Sequence, residues 1–362
     1  MIDGGRFDSS SNSVLFQSIK AKSAYFSQSI TYGPHTIAAM HAVFSGTYGN
    51  RTGTNSYWST FKFKKNHFKT LTEYLHDEKY YTLADVVNPL VVPKQGFDEF
   101  LIHNELEDDL TLRHCGFLDQ MHKINSKEEN FFLYLQYSNI HTGIMNDVLK
   151  IYNNFSDEYF LNKEINQQRY DKLFRNAENY LEKILKKINS LELDKNSLIL
   201  IMSDHGISIG EKVGERAYGA FCYDYTLRTL TYFMFPELNP TEIKQQIRTI
   251  DFMPTILEYL DIPQSDDFEK IDGESLIPLI NGNKIKEKLA FSETGNPLKE
   301  TRPPKNPNTK SIRSSKWKFI INEFDNSKEL YDLELDPAEE NNLAGKNLGI
   351  EESLFKEIQQ YL

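Results

Sequence analysis

Along the chain, apolar runs of strand length alternate with stretches carrying apolar residues at helical spacing. Leu198-Ile199-Leu200-Ile201-Met202 is an uncharged run after the turn-like Asp194-Lys195-Asn196-Ser197, and it reads as a strand buried on both faces, as in a parallel sheet. Phe131 to Tyr137 is a second such run, Tyr81 to Val87 a third, and Thr231 to Pro236 a fourth. Between them, Tyr170, Leu173, Phe174, Ala177, Tyr180, Leu181, Ile184, Leu185 and Ile188 mark one face of a long helix over 165–190, the crossover into the 198–202 strand. Further helices are expected over 68–76 and 249–260, the second with Asp251 as its cap. Val14 to Ser27 reads as a helix followed by a strand, and Gly96 to Phe100 as a turn and edge segment. Thr36 to Ser45 is small and apolar, bounded by Gly33-Pro34 and Gly46, and reads as a short buried helix. Exposed loops are expected over 264–272 and 295–308, then a hairpin over 311–321, the segment Glu329 to Leu333 and a terminal helix. The pattern is α/β, with a mainly parallel central sheet flanked by helices and a small antiparallel sheet at the C-terminal end.

Two of these runs end in residues with metal-ligand or acid–base chemistry. Asp204 and His205 follow the 198–202 strand, and His141 follows the 131–137 strand. In open α/β sheets the carboxyl edge is where ligands bind, and a carboxylate beside an imidazole suits a divalent cation. Thr36 stands at a helix start, where a hydroxyl caps backbone N–H groups or, alternatively, faces an anion. The opening Met1 to Arg6 has the look of the last residues of a buried strand and its turn, so the first strand reads as truncated.

Composition narrows the classes. The 362 residues suffice for a deep core, and a net charge of -11 without a Lys/Arg block offers no electrostatic footprint for nucleic acid. Cys115 and Cys222 are too few for a disulfide framework. No run approaches a membrane span, and the first 30 residues lack the charged and apolar regions of a signal peptide. As written the chain reads as cytoplasmic, a reading left open if residues precede Met1. Oligomeric state is not legible.

Taken together, the motifs resemble the sulfatase branch of the alkaline phosphatase superfamily over nearly the whole chain. Ile2-Asp3-Gly4-Gly5-Arg6 is similar to that family's first metal-ligand turn, and Thr36 to Gly46 to its nucleophile helix, with Thr36 in the nucleophile slot. Tyr48 to Gly53, Tyr134 to His141, Ser203 to Gly206, Ile250 to Thr255, and Glu329 to Leu333 with Asp336-Pro337 follow in the family's order. The resemblance implies a catalytic domain over 1–295 with a hairpin-and-helix subdomain over 296–362 packed on it.

It also implies one divalent cation held by Asp3, Thr36, Asp204 and His205, with catalysis by Thr36 and His141. His141 would bind the non-bridging oxygens or protonate the leaving group, and Arg51, Lys212 and Arg216 are candidates for the anionic substrate. No histidine follows His205, which argues against a two-zinc site, and the oxygen-rich donor set suits calcium, manganese or magnesium better than zinc. Sulfatases oxidise Cys or Ser to an aldehyde, whereas a threonine would give a ketone. The expected activity is therefore cleavage of small phosphate mono- or diesters, by hydrolysis or transfer, through a covalent phosphothreonine. A sulfuric ester hydrolase and a non-catalytic binding protein that keeps the fold are the alternatives.

Overall fold

The computed structural model describes residues 1–149, 157–296 and 304–362. One block of the sheet is parallel throughout: Tyr81–Val86 lies between the edge strand Glu99–Ile102 and Phe131–Leu135. A second block runs in the order Ile199–Met202, Thr231–Met234, Ala24–Phe26 and Thr241–Ile243. Here Thr231–Met234 is antiparallel to both neighbours, so the parallel expectation holds for the first block and for the Ala24–Thr241 pairing, and fails at this strand. Ile2 joins the two blocks, bridging Tyr137 and Ser203 in parallel.

The bridge is short. Met1 N donates to Leu135 O, Tyr137 N to Met1 O, and Ile2 N to Met202 O. Ladder bonds alternate between a strand's two sides, so Phe131, Leu133, Leu198 and Leu200 turn backbone groups toward the gap on the N-terminal side of Met1. That gap is an apolar cleft of about 310 Å³, lined by Met1, Phe131, Leu133, Tyr180, Ile184 and Leu200. It explains a departure from the expected burial: Ile199, Leu200 and most of Phe131–Leu135 are only half-buried.

The crossover helix runs Lys163–Ser190, with Tyr170, Leu173, Phe174, Ala177, Tyr180, Leu181 and Ile184 buried as the periodicity predicts. On the opposite side of the sheet, Met40, Val43 and Phe44 of the Thr36–Ser45 helix pack with Phe252 and Met253. The helix expected at 249–260 is a 3-10 turn Thr249–Asp251 leading into Phe252–Tyr259. Asp251 is not its side-chain cap, because Arg248 and the Glu274 N–H occupy its carboxylate. A four-stranded antiparallel sheet, Ala290–Thr294, Thr309–Arg313, Trp317–Asn322 and Ser327–Asp332, and the helix Gly349–Ile358 form the C-terminal part. It begins at Ala290, a few residues before the expected boundary at 296. Much of the 295–308 loop lies outside the described residues. Among the described residues no helix is long and apolar enough to cross a membrane.

Candidate active site

Three chain turns deliver the site. The first is the Asp3 turn, where Gly4 adopts φ 71°, a left-handed conformation that favours glycine. The second is the start of the Thr36–Ser45 helix, capped by His35, whose Nδ1 accepts from Ala38 N at 3.4 Å. Thr36 is therefore released from the capping role, and its Oγ1 lies 3.4 Å from Asp3 Oδ2 and 3.4 Å from His205 Nε2. The third is the Asp204-His205-Gly206 turn at the carboxyl end of Ile199–Met202. His205 Nε2 is 3.4 Å from Asp204 Oδ2 and 3.7 Å from Asp3 Oδ1, and all four side chains are buried.

Neighbours orient these groups. Gly4 N and His205 N both donate to Asp204 Oδ1, at 3.1 and 2.9 Å, and Gln136 Nε2 donates to Asp3 Oδ2 at 2.8 Å. Gln136 is itself held by Val87 N, which donates to its Oε1 at 3.1 Å. His205 Nδ1 lies 2.8 Å from Gly206 O, which leaves Nε2 to face the carboxylates. The other two carboxylate oxygens, Asp3 Oδ1 and Asp204 Oδ2, are buried with no hydrogen-bond partner. Burial first, and then the Asp204 charge, push the Asp3 carboxyl up to about 6. Orphaned buried carboxylate oxygens are costly unless a cation compensates them. Asp3, Asp204 and His205 each place a donor atom within 4.8 Å of the others, so the residues present fit a bound divalent ion.

His141 sits on a short helix, Asn139–Gly143, at the same edge. Its Nε2 is 2.7 Å from Tyr218 Oη and its Nδ1 is 3.6 Å from Glu105 Oε2. The Glu105 carboxylate, opposed by burial, holds the imidazole above its ordinary pKa.

The expected substrate cations are placed differently. Arg51 lies beyond the far end of the Thr36–Ser45 helix, where Asp272 (2.6 Å) and Glu269 (3.3 Å) pair with it. A ten-residue helix is about 15 Å long. The anion-orienting role expected of Arg51 is thereby corrected to a tie between that helix and the 269–272 loop. Lys212 Nζ donates to Glu339 O and lies 4.7 Å from the Tyr223 ring centroid, and Arg216 lies 4.9 Å from the Phe160 ring centroid. These contacts tie Lys212 to the C-terminal part and Arg216 to the short helix Glu158–Leu161.

Sequence reasoning missed Gln136, Glu105, Tyr218 and His35. Gln136 alone left a signal, a polar residue inside an apolar strand run. A second cluster, Asp85, His103 and His114, has ligand geometry as well. Here Arg113, Ser138 and Tyr180 complete the hydrogen bonding, so it reads as a structural network under Tyr137 and Ser138.

A sulfatase family profile matches residues 8–262, and a profile for the C-terminal region of N-sulphoglucosamine sulphohydrolase matches residues 218–362. The chain belongs to the sulfatase family. Similar curated proteins include a choline-sulfatase of Rhizobium meliloti (strain 1021), 27% identical over 174 residues, covering 47% of this chain and 32% of that one. Another is a Delta 4,5-hexuronate-2-O-sulfatase of Bacteroides thetaiotaomicron, 26% identical over 183 residues, with 49% and 36% covered. This sulfatase-family chain spans about a third of the length of the curated relatives it matches. Its fold is shared with a 2-O GAG sulfatase (TM-score 0.78, 17% identity, 100% of this chain and 91% of that chain). A phosphonate monoester hydrolase from Silicibacter pomeroyi shares it too (TM-score 0.73, 15% identity, 99% and 93%).

Proposed function

We propose that this chain is a metal-dependent hydrolase or transferase that cleaves small phosphate mono- or diesters through a covalent phosphothreonine at Thr36. The observation that carries the reading is Thr36 Oγ1, buried at a helix N-terminus and 3.4 Å from both Asp3 and His205. Asp3, Asp204 and His205, with Thr36 as a further donor, would hold one divalent ion, and their oxygen-rich set favours calcium, manganese or magnesium. When bound, such an ion lowers the pKa of a hydroxyl and neutralises charge on the attacked ester.

The chain's own residues supply the rest. Gln136 fixes Asp3, and the Gly4 and His205 amides fix Asp204. The start of the Thr36–Ser45 helix stabilises negative charge on the non-bridging oxygens. With its hydroxyl proton lost to solvent, Thr36 Oγ1 bonds to phosphorus as the bond to the leaving oxygen breaks; water or an acceptor alcohol then takes the phosphoryl group as the Oγ1–P bond breaks, and its proton returns the Thr36 hydroxyl.

Hydrolysis of sulfuric esters is the second reading, favoured by the sulfatase names of the curated relatives. Against it stands Thr36, which on oxidation yields a ketone and not an aldehyde. A non-catalytic binding protein is the third, and the complete donor set weighs against it.

The test is turnover of 4-nitrophenyl phosphate, bis(4-nitrophenyl) phosphate and 4-nitrophenyl sulfate with calcium, manganese or magnesium. Phosphate-ester turnover abolished in Thr36→Ala supports the proposal. Sulfate-ester turnover alone supports the second reading, and neither metal binding nor turnover the third.

A further inference from the structure

The expected role of His141, protonating the leaving group, meets an obstacle in the geometry. Nε2 is already engaged with Tyr218 Oη at 2.7 Å, and Nδ1 faces the Glu105 carboxylate at 3.6 Å, an ion-pair distance. The Tyr218 ring, in turn, lies 4.8 Å from the His205 ring, centroid to centroid, at 37°. The phenol thus touches His141 through its oxygen and His205, a member of the Thr36 cluster, through its ring.

Its backbone setting is unusual. Ala217, just before it, has φ 68° and is buried, and Gly219, just after it, has φ 92°. A Cβ built on Gly219 would meet nothing within 4 Å, so glycine there answers to the backbone angle and not to crowding. An alanine held in the left-handed region is strained, because its Cβ crowds the backbone carbonyl. Neighbours enforce it: Ser208 N donates to Ala217 O, Thr294 Oγ1 donates to Gly219 O at 2.5 Å, and Ala220 N donates to Glu215 at 2.9 Å. Strain maintained by such surroundings clusters where a side chain has to be aimed, and the side chain aimed here is Tyr218.

We propose that Tyr218, and not His141, meets the leaving-group oxygen of the ester, as the terminal member of a Glu105–His141–Tyr218 chain. The inference rests on the ester-cleaving reading of Thr36 and adds the residue that handles the departing oxygen. As Thr36 Oγ1 bonds to phosphorus and the bond to the leaving oxygen breaks, the Tyr218 Oη–H proton passes to that oxygen. His141 Nε2–H replaces it on the phenol oxygen, and His141 is left neutral, with Nδ1–H still toward Glu105. No other reactant is needed. The raised proton affinity that Glu105 gives His141 matches this direction of transfer.

The test compares an alkyl phosphodiester, whose alkoxide needs a proton to leave, with bis(4-nitrophenyl) phosphate, whose phenolate does not. In Tyr218→Phe the alkyl-ester rate is expected to fall about 100-fold and the activated-ester rate by less than about threefold, the size of a lost general acid. A thermal melt close to that of the wild type shows that the variant keeps its fold. Should that variant fail to fold, 3-fluorotyrosine at position 218 keeps the shape, and a changed ratio of the two rates supports the proposal. Equal losses on both esters, an unchanged ratio, or selective loss in His141→Gln with none in Tyr218→Phe overturns it. Activated-ester turnover that survives Thr36→Ala overturns the proposed function instead, and a wild-type protein inert to both esters overturns the two together.

Discussion

Gly206 offers the sharpest stability test of how the site is built. It follows His205 directly, donates its N–H to Thr226 O at 2.8 Å, and supplies the carbonyl 2.8 Å from His205 Nδ1. A Cβ at this position would overlap the Tyr225 carbonyl oxygen and lie 3.1 Å from its carbon, backbone atoms with no side-chain rotation to relieve the clash. Overpacking of this kind costs about 1–3 kcal/mol and the weakened Thr226 bond about 1 kcal/mol, so Gly206→Ala loses about 2–4 kcal/mol. At about 2.1 cal/mol/K per residue, that lowers the melting temperature of the 362-residue chain by about 3–5 °C. Displacing the carbonyl also turns the imidazole, so calcium affinity measured by calorimetry falls with it. The control is Gly116→Ala in the Leu110–Asn125 helix, where an added Cβ meets nothing within 4 Å. There the same chemical change stabilises by about 0.5–1 kcal/mol. A melting temperature for Gly206→Ala within 1 °C of wild type, or calcium affinity unchanged while the melt falls, would refute the coupling of this turn to the site.

Two further outcomes follow from other contacts. Gln136→Leu removes the donor to Asp3 and the acceptor for Val87 N, and weakens divalent-ion binding about 10- to 100-fold by titration, as loss of a ligand's orienting partner does. Unchanged affinity would mean that Asp3 needs no such support. A five-residue Val/Ile segment fused ahead of Met1 enters the cleft beside Leu133 and Leu200, pairs their backbone groups and raises the melting temperature. An equal rise from a Ser/Lys segment of the same length would show that the cleft is not shaped for a strand.

Much of this was legible because burial and position act together in an α/β sheet. The apolar run leading to Asp204-His205 announces the edge at which it ends, although its first residues are only half-buried, and the Lys163–Ser190 helix buries the face its periodicity marks from Tyr170 to Ile184. What escaped the sequence depends on partners distant along the chain. Arg51 sits beside a recognisable motif, but Asp272, which fixes it, lies more than 200 residues away. Asp85, His103 and His114 come from three separate elements with no spacing pattern, and Tyr218 is positioned by loop dihedrals that composition does not encode. His35, adjacent to Thr36, took over the capping that would otherwise have explained the threonine away.

The central claim is that Asp3, Thr36, Asp204 and His205 gather round one cation. Anomalous diffraction from a crystal soaked in manganese tests it most directly. A single strong peak is expected, in coordination contact with the two carboxylates, the His205 Nε2 and the Thr36 oxygen. A peak at Asp85, His103 and His114 in its place, or none at the Thr36 cluster, would contradict it.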